Sequence, residues 1–124
     1  MQERRIKIET GGVEVNAVLN DCDTADLVWC ALPITASGSV WGDEIYFRTN
    51  LTADEQDSVA VVEMGAVAFW PPGQAICLFY GLTPMSTGDE IRPASPVNVI
   101  GQIEGDPTVL KSAPSGSDVL VEKA

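Results

Sequence analysis

Two guanidinium groups, Arg48 and Arg92, stand in the interior of the sequence, and the other cations, Arg4, Arg5, Lys7, Lys111 and Lys123, lie toward its ends. A guanidinium offers planar, bidentate hydrogen bonding to a carboxylate or an amide carbonyl. Arg48 closes the run Glu44-Ile-Tyr-Phe-Arg48, whose alternation sets Ile45 and Phe47 on one face and Glu44, Tyr46 and Arg48 on the other. Two uses are open to Arg48: a catalytic or ligand-anchoring cation, or a counter-ion for an acidic surface. Arg92, beside Pro93, either holds a carboxylate or amide-bearing ligand or pins its own loop to an acid such as Glu44 or Glu63. Trp41, Tyr46, Trp70 and Tyr80 suit a recognition groove, with Gln74 in the turn beside them, and suit cross-strand core packing equally well.

Other chemistries are closed to this chain. Without histidine there is no imidazole-dependent triad, no His-ligated zinc and no imidazole pH switch. Cys22, Cys30 and Cys77 lack the spacing of a metal or redox motif and read as reduced, with Cys77 a core residue. The pairs Asp43-Glu44 and Asp89-Glu90 look like acid/base or cation sites. Adjacent strand residues face opposite ways, however, and acidic loop pairs are ordinarily solvated. No metal site and no cofactor is expected.

The element that must position the candidates is residues 65 to 81, two apolar runs hinged on Pro71-Pro72-Gly73-Gln74. A hairpin with a type II turn fits, Pro72 setting φ and Gly73 taking the positive φ. Its faces are expected to carry Val67, Phe69, Cys77 and Phe79 on one side, and Ala66, Ala68, Trp70, Ile76, Leu78 and Tyr80 on the other. Both are apolar, so the hairpin belongs at the centre of the sheet with a core on one face and a cover on the other.

Around it, Arg4 to Glu9 and Val13 to Ala17 form two strands joined by Gly11-Gly12. A helix from an Asp23 N-cap to Leu32 stops at Pro33, Ser37-Gly38-Ser39 loosens the chain, and Thr52 to Glu55 forms a capping-box turn. Residues 82 to 96, with three prolines, make an irregular functional loop, then come a strand from Val97 ending at Gly105, a short helix capped by Asp106-Pro107 and running through Lys111, and a last strand at Val119 to Val121. The expectation is a single domain over residues 1–124, mainly β, a closed antiparallel barrel of about eight strands with two short capping helices.

The formal charge of −11 comes with no basic patch, which argues against nucleic acid and anionic membranes as partners. No apolar run is long enough to span a bilayer, and the N-terminus, Met-Gln-Glu-Arg-Arg, opens no signal region. A cytoplasmic protein is expected.

The stretches Trp41-Gly-Asp-Glu-Ile-Tyr-Phe47, Gly65 through Trp70-Pro-Pro-Gly-Gln-Ala-Ile-Cys-Leu-Phe-Tyr-Gly81 to Ser86, and Ile91-Arg-Pro-Ala-Ser-Pro-Val-Asn-Val-Ile-Gly101 resemble small prokaryotic cyclophilin-like barrel proteins of unassigned function. More distantly, Val99-Ile-Gly-Gln-Ile-Glu-Gly105 is similar to a strand of the cyclophilin peptidyl-prolyl isomerases. That resemblance implies an antiparallel barrel capped by two helices, and places Arg48 where the isomerases carry an arginine that hydrogen-bonds the prolyl nitrogen. The histidine of their Phe-His-Arg pattern is replaced here by Phe47, and the pocket phenylalanines have no counterpart near Gln74. The function expected is therefore a non-catalytic module binding a small molecule or short peptide in a surface cleft. The alternatives are a weak prolyl isomerase using Arg48, and a subunit that docks a protein partner.

Overall fold

The computed structural model describes residues 3–124; Met1 and Gln2, which open the N-terminus discussed above, lie outside them. Eight strands run β1 (Arg4–Thr10), β2 (Val13–Leu19), β3 (Ile34–Val40), β4 (Glu44–Arg48), β5 (Ala66–Trp70), β6 (Ala75–Phe79), β7 (Asn98–Ile103) and β8 (Asp118–Lys123). They close as β1-β2-β7-β5-β6-β4-β3-β8, every pairing antiparallel. Closure leaves no strand edge unpaired. The helix α1 (Asp23–Ala31) packs Ala25 and Val28 into the barrel core.

The first hairpin turns at Gly11 and Gly12, both at positive φ (+56° and +81°), the backbone that two-residue hairpins select. Inward residues follow strict alternation in these strands: Ile6 and Ile8 from β1, Val15, Ala17 and Leu19 from β2. In β7 the register skips Ile100, pairing Val67 with Gly101 and Ala68 with Val99. A Cβ on Gly101 would lie 2.5 Å from the Val18 carbonyl oxygen, so the bulge and the close approach of β2 require glycine there.

Several local expectations change. β3 runs straight through Ser37-Gly38-Ser39, because Gly38 is where Val119 from β8 comes closest, 2.9 Å from a would-be Cβ. Its glycine serves packing rather than a bend. Helix α1 is capped by Cys22, whose Sγ accepts from the Ala25 N–H at 3.4 Å, and Asp23 is the first helical residue. Thr52 to Glu55 has no regular secondary structure and forms no helical turn. Asp106 caps a 3-10 turn at Pro107–Ser112, its carboxylate accepting from the Thr108 N–H at 3.0 Å.

The central hairpin sits in the middle of the sheet, buried on both faces, but its register differs from expectation. Val67 pairs with Leu78 and Phe69 with Ile76, so an odd residue on one arm faces the same way as an even residue on the other. Val67, Phe69, Ile76 and Leu78 enter the barrel core, with Tyr80 beyond β6, while Ala66, Ala68, Cys77 and Phe79 face outward. The turn is a 3-10 turn at Pro71–Gly73, and Gln74 rather than Gly73 takes the left-handed conformation (φ 51°). Gly73 is needed because the Trp70 ring lies over it, 2.4 Å from a would-be Cβ.

Leu78 is fully buried and Leu82, four residues on, is 48% exposed. Leu78→Ala should therefore lower unfolding free energy by about 2 to 5 kcal/mol, while Leu82→Ala should change it by about 0.5 kcal/mol or less. Urea denaturation of the two variants checks this.

Candidate functional site

The outward face of the central hairpin is apolar and cannot be left in water. It is covered by two segments that pair with each other through single bridges, Val59 to Val97 and Val62 to Ile91. Val62, Ile91 and Val97 join Ala66, Ala68, Cys77 and Phe79 in a second core outside the barrel, against which Tyr46 and Trp70 pack. The cover is incomplete where it reaches β4. A groove of about 420 Å³ remains there, lined by Trp41, Glu44, Tyr46, Arg48, Trp70, Cys77, Pro93, Ala94 and Val97.

Each wall has a local cause. Alternation in β4 turns Ile45 and Phe47 into the barrel and leaves Glu44, Tyr46 and Arg48 on the groove side. Trp70 is held by its position over Gly73 and by donating Nε1–H to Ser95 Oγ at 2.6 Å. That bond ties the hairpin to the covering loop. The loop is also braced internally: Thr83 Oγ1 donates to the Arg92 carbonyl, the Thr83 and Arg92 N–H groups donate to Ser86 Oγ at 3.1 and 3.2 Å, and Thr87 N–H donates to Glu90 at 3.1 Å. The long segment is thus an ordered wall, with Pro93 buried in it.

The expected site residues divide. Arg48, Tyr46 and Trp70 line one groove, and Arg48 is exposed with no hydrogen bond or ion pair from its side chain among the described residues. Gln74 lies exposed on the turn, its amide donating to Thr52 Oγ1 at 3.0 Å. Tyr80 is turned into the barrel core rather than the groove, a consequence of the hairpin register. Arg92 pairs with Glu90 at 3.3 Å, so the acid that receives it is its loop neighbour and neither Glu44 nor Glu63. The Thr87 N–H and then Arg92 hold the Glu90 carboxyl below its ordinary range.

Glu44 overturns an expectation. It is 5% exposed rather than solvated, and its Oε1 has no hydrogen-bond partner. Desolvation raises its pKa to about 7, against a smaller lowering by the nearby Cys77 thiol. Burial, and then the Glu44 charge, push the Cys77 thiol well up, which leaves it a neutral wall. The signal was present in sequence: if both hairpin faces must be covered, the outer residues of the strand beside it come under the same cover. A carboxyl balanced near neutrality in an apolar groove can exchange a proton or hold a donor group. Among the described residues no group of three or more His, Cys, Asp or Glu side chains is placed to hold a metal.

The sequence profile of the family described as cyclophilin-like matches residues 4–122. The chain belongs to the cyclophilin-like family. Among solved structures, the solution structure of a hypothetical protein from Archaeoglobus fulgidus is 44% identical to it, covering 98% of this chain and 95% of that chain with a TM-score of 0.83. No curated protein matches this cyclophilin-like chain.

For an acid with a raised pKa, the folded state keeps a proton that the unfolded chain loses as pH climbs above 4.5. The stability so conferred fades from about 4.5 up to about 7 and is constant beyond. At about 1.4 kcal/mol per unit, and with some screening, the loss is on the order of 2 to 3 kcal/mol. Urea unfolding at pH 5 and pH 8 should show Glu44→Gln matching the wild type at pH 5 and exceeding it at pH 8.

Proposed function

We propose that this cyclophilin-like barrel is a non-catalytic binding module, taking a small molecule or short peptide in the groove between β4 and the covering loop. The supporting observation is a groove of about 420 Å³, walled by Trp41, Tyr46, Trp70 and Pro93, and lined by the Arg48 guanidinium, which has no partner among the described residues. That size and lining match small-molecule sites, in which apolar walls supply affinity and a few polar groups fix orientation. Arg48 receives a carbonyl or carboxylate oxygen of the ligand.

The prolyl isomerase reading shares that arginine, exposed beside the apolar walls, and so merits a direct test. Docking of a protein partner is the third reading. Among the described residues no helix is long and apolar enough to cross a membrane. All three cysteines are free, which suits a reducing compartment such as the cytoplasm.

Tryptophan fluorescence and thermal shift, read against hexanoate and a capped Xaa-Pro peptide, test the proposal. Stabilisation of the wild type at millimolar ligand is expected, with affinity falling about fivefold or more in Arg48→Ala, the loss of one charge-assisted hydrogen bond. No response to either ligand would remove the binding reading. Equal cis-to-trans exchange rates of the peptide with wild type and Arg48→Ala would remove the isomerase reading.

A further inference from the structure

The proposed groove holds a second polar group that an oxygen at Arg48 leaves unused. Glu44 is buried, and its Oε1 accepts no hydrogen bond. Buried carboxylate oxygens are nearly always partnered, because an unmade bond forfeits the hydration that was given up. Among the described residues no cation pairs with it. From β6 it faces the Cys77 thiol, whose pKa burial and then the Glu44 charge raise; Tyr80, beyond β6 in the barrel core, is raised by burial first and then by the Asp43 and Glu44 charges. Its neighbour just before β4 is Asp43, whose carboxylate has the Lys111 ammonium at 3.7 Å. β5 and the covering loop contribute Trp70, Pro93, Ala94 and Val97, none charged. Arg48 stands four residues along β4, roughly 13 Å away at strand rise, and makes no ion pair with Glu44.

We propose that Glu44 receives the nitrogen end of a dipolar ligand, an ammonium or other cationic N–H group whose carboxylate or carbonyl end lies on Arg48. This rests on the binding reading above and names the ligand class it requires. Three aromatic side chains, Trp41, Tyr46 and Trp70, line the groove between and around the two charges, and aromatic faces attract cations most strongly where water is excluded. The spacing of Glu44 and Arg48 selects length: the ligand is an amino acid derivative or short peptide with its charges separated by several bonds.

The probe is 6-aminohexanoate, with hexylamine and hexanoate as its halves, titrated calorimetrically at pH 6 and pH 8 into wild type and Glu44→Gln. A cation binds the ionised carboxylate, so 6-aminohexanoate should bind the wild type about tenfold tighter at pH 8 than at pH 6, as expected for a carboxyl titrating at about 7. Hexylamine should show the same pH dependence at lower affinity, and hexanoate should not. Glu44→Gln should lose the pH dependence while still binding hexanoate. If hexanoate binds the wild type and 6-aminohexanoate binds no tighter at pH 8, or tightens toward pH 6 as a protonated carboxyl donating to the ligand would require, the dipolar ligand is excluded and the groove remains. If none of the three binds, the groove reading falls with it. Should Glu44→Gln fail to fold, the wild-type comparison of the three probes decides alone.

Discussion

The β5–β6 hairpin is apolar on both faces, and the rest of the molecule answers that constraint. Val67, Phe69, Ile76 and Leu78 supply one side of the barrel core, and Ala66, Ala68, Cys77 and Phe79 demand a second core outside it. A sheet face of that kind exposed to water would cost roughly 25 cal/mol for each Å² left uncovered. The segments around Val59 to Val62 and Ile91 to Val97 form the cover, tied to each other by two single backbone bridges and held on the hairpin by side-chain burial.

The groove is the place where that cover ends, and its chemistry follows from its position. Small outward residues on the hairpin, two alanines and a cysteine, leave volume beside the larger Tyr46 and Trp70 rings. Trp70 is fixed from two sides, by Gly73 beneath it and Ser95 across from it, so that wall of the groove is rigidly placed. The same apolar enclosure desolvates Glu44 and lifts its pKa to about 7. Arg48, at the far end of the same strand face, stays in water. One strand thus presents two opposite polar groups in two different dielectric settings.

Membership of the cyclophilin-like family settles architecture without settling chemistry, since activity belongs to particular side chains placed on a fold. The groove here carries one exposed arginine, one buried carboxyl and three aromatic rings around an apolar cleft. A chain with no histidine must draw any proton exchange near neutrality from a perturbed group, and Glu44 is such a group in this groove.

The barrel was legible in the linear order of residues. Alternation in β1, β2 and β4, the paired glycines at 11 and 12, and a hairpin apolar on every position each report local geometry, and local geometry of this kind leads to a closed antiparallel sheet. Facing within the hairpin was not legible, because the parity of pairing depends on how many residues the turn consumes, and the 3-10 turn with Gln74 left-handed sets Phe69 against Ile76. Gly38 and Gly73 looked like breakers, yet each marks the close approach of a side chain from elsewhere, Val119 to Gly38 and Trp70 to Gly73. Glu44 is the sharpest case. Its side of the strand could be read from the sequence, whereas its burial, its missing partner and its shifted pKa are set by a loop some fifty residues further on. Residue type and periodicity state which way a side chain points; only the folded chain decides what meets it there, because solvation is a property of the neighbours and not of the residue.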